Sequence, residues 1–479
     1  MSKNFKKSII YSLEPIISKG LTFILIPLYT AYLTIGEYGT LQYVMSLAAF
    51  IRIFTQVGTN SAFWKFSNDR ALEDNGEILK NLVFLQILFG GIVLALLLII
   101  TLILNYEFNS WLLFLYFGSL IIKTFSEILL LQFRYNGFAV KYLATTISTL
   151  LLNISITIYF VVYLGFGALG IVYSYLITFI IIGFYALPAL ITHFKGLVSV
   201  IKIKELIKFG TPLMLGNIFL LFISLSDRWF ILKMLNEEQL GYYSYVYKFS
   251  DLTLTFLVYS FNIIFVPIMW RAYKINCFNV LFHKIEKNLL IIFPIISLII
   301  VLISIFLANF FTMNNDYILG FNLILLLSFS HIFYGFYLFQ ILKIQMFSNT
   351  KSVIIITAVA ATLNFILNFL LIGGFGILGA GISTFFSYLV LMFFIEMKCA
   401  KIHPTLKNNF NYYFCILLII LIAFSSVKLF DLFEDFRHRI IICFLYIIAF
   451  LSLLVIFKIT TYRSLKNDLN YIFVKSDKV

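Results

Sequence analysis

Nine ionisable side chains sit inside long apolar stretches of this sequence. The cations are Lys19, Arg52, Lys123, Arg228 and Lys248, and the acids are Glu14, Glu127, Asp227 and Asp251, with Glu396 nearer the end of another such stretch. In a bilayer each would cost at least about 2.5–3.5 kcal/mol unless it faced protein or water. Two kinds of chemistry suit such residues. Cations bind an anionic ligand, and acids carry protons or other ions. Their neighbours recur at helical spacing. Ser244, Lys248, Asp251, Thr255, Tyr259 and Asn262 form one stripe, and Ser119, Lys123, Glu127 and Arg134 a second. Ser8, Ser12, Pro15, Lys19 and Thr22 form a third, and Arg52, Gln56 and Thr59 a fourth. Steps of this size put each set on one helix face. Lipid does not tolerate polar stripes, so these faces must line a bundle interior.

Some of these charges have a partner on their own helix. Lys123 and Glu127 are four residues apart, and Lys248 and Asp251 three apart, so each pair can neutralise itself. That leaves a structural role and a binding role both open. Lys19 and Arg52 have no acid three or four residues away. Their counter-charge is either a side chain on another helix or an anionic substrate such as a phosphate group.

The elements that position these residues follow from composition. Of 479 residues, 62% are hydrophobic and only 12% charged, against about 25% charged in soluble domains. The solvent for most of the chain must be lipid. Spans of about 20 apolar residues are expected near 8–33, 39–63, 81–104, 111–133, 142–163, 168–192 and 207–232, then near 240–269, 288–310, 317–342, 352–372, 377–397, 410–430 and 439–458. The fold class is all-α: a polytopic transmembrane helical bundle of about 14 helices. The segments between, chiefly 64–80, 193–206 and 270–287, are expected as basic cytoplasmic loops along the inner surface. The net charge of +14 reflects topology. With the N-terminus inside, 26 of the 35 Lys and Arg fall at cytoplasmic ends and loops, four in outer loops and five within spans. Both termini are therefore expected in the cytoplasm, and nucleic-acid binding is not implied. Glu14, Pro15 and Lys19 interrupt the first apolar run, so it is read as a retained span rather than a cleaved leader.

An internal repeat divides the spans. Gly165-Phe-Gly-Ala-Leu-Gly170 precedes a span with Ser174, and Gly374-Phe-Gly-Ile-Leu-Gly379 precedes one with Ser383, at an offset of 209. Each follows a span with an asparagine, Asn153 or Asn364. A weaker match sets Tyr38-Gly39 and Tyr43 against Leu240-Gly241 and Tyr245, at an offset of 202. The expected organisation is a six-helix lobe over 1–193, a cytoplasmic linker over 194–206 and a second six-helix lobe over 207–400. Two additional helices over 401–458 and a cytoplasmic tail over 459–479 complete it. An even number of helices per lobe makes this a parallel repeat.

Several functions are excluded by missing motifs. Both glycine repeats match G-x-G-x-x-G, but neither follows a strand in a βαβ unit, so they are turns between spans. No P-loop and no H-E-x-x-H occurs, and the four cysteines lack C-x-x-C spacing. No metal site and no cofactor are expected. Pro15 and Pro27 in the first span and Pro212 in the seventh allow bends beside a cavity.

The run Gly20-Leu-Thr-Phe-Ile-Leu-Ile-Pro-Leu-Tyr-Thr-Ala-Tyr-Leu33 with Glu37-Tyr-Gly39 and Tyr43 resembles the oligosaccharide flippases of polysaccharide biosynthesis, the Wzx-type O-unit translocases. So does Asn364-Phe-Ile-Leu-Asn-Phe-Leu-Leu-Ile372 with Gly376-Ile-Leu-Gly-Ala-Gly-Ile-Ser383. These belong to the superfamily that also holds multidrug-and-toxin exporters and the lipid II flippase. The resemblance implies two six-helix lobes around a central cavity and no enzymatic activity. It implies transfer of an undecaprenyl-pyrophosphate-linked oligosaccharide between leaflets of the cytoplasmic (inner) membrane, for O-antigen or capsule synthesis. The partners it implies are that lipid-linked oligosaccharide, membrane lipids, and a polysaccharide polymerase with its chain-length machinery. Lys19, Arg52, Lys123, Arg228 and Lys248 would hold the pyrophosphate, and Glu14, Glu127, Asp227 or Asp251 would couple an ion. A cation-coupled drug exporter of the same superfamily would favour acids over bases in the first-lobe cavity. A membrane polymerase would need a larger outer loop.

Overall fold

The computed structural model describes residues 14–15, 17–69, 75–103, 108–194, 196–274, 278–311, 322–347, 351–402, 410–432 and 436–456. The expected tail over 459–479 and the start of the first span lie outside them. The described residues form α-helices and two π-helical turns, with no strand among them. Each of the fourteen expected spans coincides with helical residues. Nine helices among the described residues are long and apolar enough to cross a membrane. The chain is a multi-pass helical membrane protein.

Its contacts divide into two compact units, Met1–Gly241 and Tyr242–Val479. The first unit holds α1 (Leu25–Tyr32), α2 (Ile35–Gln56), α3 (Thr59–Asp69), α4 (Asn75–Ile103) and α5 (Phe108–Tyr135). It continues through α6 (Ala139–Ile158), a π-helical turn over Tyr159–Tyr163, α7 (Gly167–Ile191) and α8 (Val200–Met234). Helix α9 (Glu237–Leu252) crosses the division and runs through a second π-helical turn, Thr253–Tyr259, into α10 (Ser260–Lys274). The second unit goes on with α11 (Phe278–Phe311), α12 (Ile324–Phe347), α13 (Lys351–Phe375), α14 (Ile377–Ile402), α15 (Phe410–Leu432) and α16 (Phe436–Ile456).

Two expectations need correction, and the prolines can be placed. The second span is not one helix. It ends at Gln56, and Val57 and Gly58 turn in left-handed conformation, φ 44° and 64°, before α3. The segments expected as loops are largely helical. Helix α3 begins at Thr59, α8 at Val200 and α11 at Phe278, because hydropathy marks only the apolar part of a longer helix. The prolines act differently. Ahead of α1, residues 17–23 are helical and Ile24 breaks the run, its N–H reaching Leu21 O at 3.1 Å. Pro27 donates no N–H and crowds the carbonyl four residues back, at Phe23. Helix α8 continues through Pro212 without a break.

Capping and close packing set the helices of the first unit. Thr34 starts α2 with a capping box: Glu37 N–H donates to Thr34 Oγ1 at 3.2 Å, and Thr34 N–H donates to Glu37 Oε2 at 2.9 Å. This satisfies two donors that a helix start leaves open. Gly39 and Gly241, the weaker repeat, meet each other. A Cβ on Gly39 would strike Glu237 O, and one on Gly241 would strike Ile35 O. Only glycine lets α2 and α9 approach this far. One buried cluster joins Ala62, Phe63, Leu79, Leu82, Leu129 and Leu190 from α3, α4, α5 and α7. A smaller one, Ala48, Phe117 and Leu120, locks α2 to α5. The outer face of α4 shows Ile92, Leu96, Ile99 and Ile103, 50–72% exposed, a stripe suited to lipid.

The strong repeat takes the same form in both units. Gly167 and Gly376, φ 51° and 59°, turn the chain between paired helices. Asn153 Nδ2 donates to Ser174 Oγ at 3.3 Å across α6 and α7, and Asn364 Nδ2 donates to Ser383 Oγ at 3.3 Å across α13 and α14. In the second unit α12 is central, with 83% of its apolar window buried.

Candidate functional site

The end of α2 and the middle of α5 bring three charges together in the first unit. Arg52 Nη2 donates to Glu127 Oε2 at 2.5 Å, and Arg52 Nη1 donates to the Leu120 carbonyl at 2.9 Å. Lys123 Nζ lies 3.4 Å from Glu127 Oε1, one helical turn away on α5. Gln56 Nε2 also donates to Glu127 Oε2, at 3.3 Å. So both oxygens of one carboxylate are engaged by two cations and an amide. Lys123 Nζ also sits 5.4 Å from the centre of the Phe179 ring on α7, a cation–π contact.

Arg52 therefore finds its counter-charge on another helix, 75 residues away in sequence. Lys123 and Glu127 do pair, as their spacing predicts, but Glu127 is shared. Two positive charges against one negative leave the trio with a surplus of one positive charge. The ammonium is the most accessible member. Side-chain exposure is 11% for Arg52, 28% for Glu127 and 38% for Lys123. A cavity of about 330 Å³ opens on them, lined by Arg52, Gln56, Tyr116, Lys123, Glu127 and Leu221 among others. This is at the small end of ligand pockets, about 300–1,000 Å³.

The other expected site residues are placed elsewhere. Glu14 and Lys19 are half-buried ahead of α1; Glu14 Oε1 accepts from Ser18 at 2.9 Å. Asp227 and Arg228 on α8 pair directly, Arg228 Nη1 to Asp227 Oδ1 at 3.1 Å, and both are buried. None of these four is among the residues lining the cavity. Lys248 and Asp251 are half-buried near the end of α9, just before the π-helical turn. Such turns often mark functional positions in helices.

Sequence reasoning missed two further buried ionisable residues, Glu286 and Lys343, alongside Glu396, which it had named. Glu286 on α11, Lys343 on α12 and Glu396 on α14 are each under 5% exposed. Glu286 and Lys343 were assigned to a loop and a helix end because the apolar windows stopped short of them. Their signal was spacing: Phe282 and Glu286 four apart, Gln340 and Lys343 three apart, Glu396 and Cys399 three apart.

A bundle of membrane-crossing helices in two units, with a polar cavity inside one of them, defines a multi-pass helical membrane protein. The model of the polysaccharide biosynthesis protein family matches residues 5–273, more than half of the 479 residues, and the chain belongs to that family. No curated protein matches it in sequence. Solved structures match its fold. The lipid II flippase MurJ in an inward closed conformation aligns with a TM-score of 0.71 at 17% identity, covering 93% of this chain and 98% of that one. An inward-facing multidrug resistance MATE family transporter of the MOP superfamily aligns at 0.65 and 13% identity, covering 83% and 99%. A Vibrio cholerae MATE transporter aligns at 0.56 and 14% identity, covering 85% and 97%. The expected helical membrane fold is the one found, and the solved structures that share it are described as a lipid II flippase and multidrug transporters.

Proposed function

We propose that the chain is a flippase that moves a polyprenyl-pyrophosphate-linked oligosaccharide from the inner to the outer leaflet of the cytoplasmic membrane, for surface polysaccharide synthesis. The observation that carries this reading is the surplus positive charge of Arg52, Lys123 and Glu127 beside a small cavity. Glu127 orients both cations, so the site is formed before the ligand arrives. Arg52 and Lys123 then hold the pyrophosphate by charge-assisted hydrogen bonds. The lipid tail stays in the bilayer and the sugars extend beyond the small cavity. Membership of the polysaccharide biosynthesis family supports the pathway, and the likeness to a lipid II flippase supports a lipid-linked cargo.

Lys19, Arg228 and Lys248 belong to the proposal as further contacts along the path. Glu14, Asp227 and Asp251 are candidates for ion coupling in the same cycle, as is Glu127. Two six-helix lobes with a linker, two further helices and cytoplasmic termini complete the reading. The cavity argues against a cationic drug as cargo, because its surplus charge would repel one. The test uses a strain lacking the protein and complemented with variants. Arg52→Ala should abolish surface polysaccharide while the protein stays in the membrane at its normal level, and Arg52→Lys should restore part of it. Normal polysaccharide from Arg52→Ala would overturn the proposal.

A further inference from the structure

The cavity of the first unit changes character along its length. Arg52, Gln56, Lys123 and Glu127 make a charged end, and Ala49, Tyr116 and Leu120 an uncharged one. Contacts fix the direction of this change. Ala48 packs with Phe117 and Leu120, and further along both helices Arg52 and Gln56 meet Glu127, so α2 and α5 run in parallel. Tyr116 and Lys123 are two turns of α5 apart, which puts them on one face and about 10 Å from each other along the axis.

The aromatic wall is built onto the charged end. The Tyr116 ring meets Tyr175 on α7 edge to face, with centroids 5.5 Å apart and planes at 81°. Tyr175 lies 5.9 Å from Phe179, and Phe179 is the ring that faces the Lys123 ammonium. The phenol and the ammonium thus belong to one packed set of side chains, in place before a ligand arrives. Such a cavity fits a ligand with an anionic end joined to an uncharged, amphipathic part. A tyrosine offers a ring face with partial negative charge and a hydroxyl that both donates and accepts. A sugar matches both, because a pyranose carries C–H groups of partial positive charge on its faces and hydroxyls around its rim. A hydrocarbon chain would cover the phenol hydroxyl without offering it a hydrogen bond, which is unfavourable.

We propose that Tyr116 is a sugar-binding residue: the sugar joined to the pyrophosphate of the cargo packs on its ring while Arg52 and Lys123 hold the phosphates. This rests on the anion-binding reading of the same cavity and deepens it. The two cations select for the phosphates, which any cargo on this carrier lipid shares, and Tyr116 selects for what is attached to them. The further sugars lie beyond the cavity, and no covalent bond is made or broken.

The test is isothermal titration calorimetry on the purified full-length protein with small probes: methyl phosphate, the 1-phosphates of glucose, galactose and N-acetylglucosamine, and geranyl phosphate. What is read is the affinity for each relative to methyl phosphate. The wild type should bind at least one sugar 1-phosphate about two- to tenfold more tightly than methyl phosphate, the range of a single aromatic contact. In Tyr116→Leu that preference should vanish. Tyr116→Met, whose flexible side chain refills the space, replaces it if Tyr116→Leu does not fold. A preference that survives in the variant would overturn the proposal. So would a preference confined to geranyl phosphate, since this end of the cavity would then take the lipid chain. A wild type that binds methyl phosphate and inorganic pyrophosphate but prefers no sugar 1-phosphate would overturn this proposal alone. A wild type that binds none of the probes would overturn the anion site with it.

Discussion

In the first unit two cations share one carboxylate beside a cavity, and the ammonium of Lys123 is 38% exposed. In the second unit Glu286, Lys343 and Glu396 are buried, and none exceeds 4% exposure. The two groups differ in access. A positive surplus with an opening can be matched by an anion that enters from outside, whereas charges buried to this depth are reached only by their neighbours in the bundle.

The comparison breaks most visibly on lysine substitution. Lys343→Met would remove a buried ammonium that acts on the buried Glu286 carboxylate, and removing one partner of a buried charge group costs about 3–5 kcal/mol. Lys123→Met leaves Arg52 in place on a more exposed carboxylate, so its cost should stay below about 1 kcal/mol. Thermal unfolding in detergent should show a large drop for the first and little change for the second. Similar drops would mean that the two clusters are built alike.

Arg52→Ala comes next. It removes one charge-assisted donor and reduces the trio to a neutral pair. Hydrogen bonds to charged groups contribute about 1.5–3 kcal/mol, so inorganic pyrophosphate should bind at least about tenfold more weakly. Isothermal titration calorimetry reads this directly.

The smallest effects concern what the units share. Asn153→Ala and Asn364→Ala each remove the buried Asn–Ser hydrogen bond of the repeated hairpin, together with a second weak one, from Asn153 to Thr178 and from Asn368 to Asn364. Each should lower stability by about 1 kcal/mol, and the two midpoints should shift alike. Unequal shifts would show that the hairpins have diverged in more than sequence.

Much of this was legible in the sequence because it depends on local pattern. Apolar runs located the fourteen expected spans, each of which coincides with helical residues among those described. The glycine-rich hexapeptides predicted matched hairpins, and Gly167 and Gly376 do turn the chain in both. Asn153 and Asn364, noted only as parts of a repeat, prove to bond the serines of the next helix. The Lys123–Glu127 pair followed from its spacing of four. The rest depends on distance in space. Nothing within a helical turn of Arg52 announces Glu127, which arrives from another helix. Glu286 and Lys343 come from two helices, and hydropathy windows discount them because charged residues end the window. The π-helical turn after Asp251 adds a residue to a turn without changing composition, so no pattern marks it.

The most direct test of the account is calorimetric titration of inorganic pyrophosphate into the purified wild type, Glu127→Gln and Arg52→Ala. Glu127→Gln removes the one negative charge of the trio and raises its surplus from one to two. If Arg52 and Lys123 form an anion site, binding tightens in Glu127→Gln, weakens in Arg52→Ala, and depends more steeply on salt in the tighter variant. Equal affinities in all three proteins, or no binding by the wild type, would contradict it.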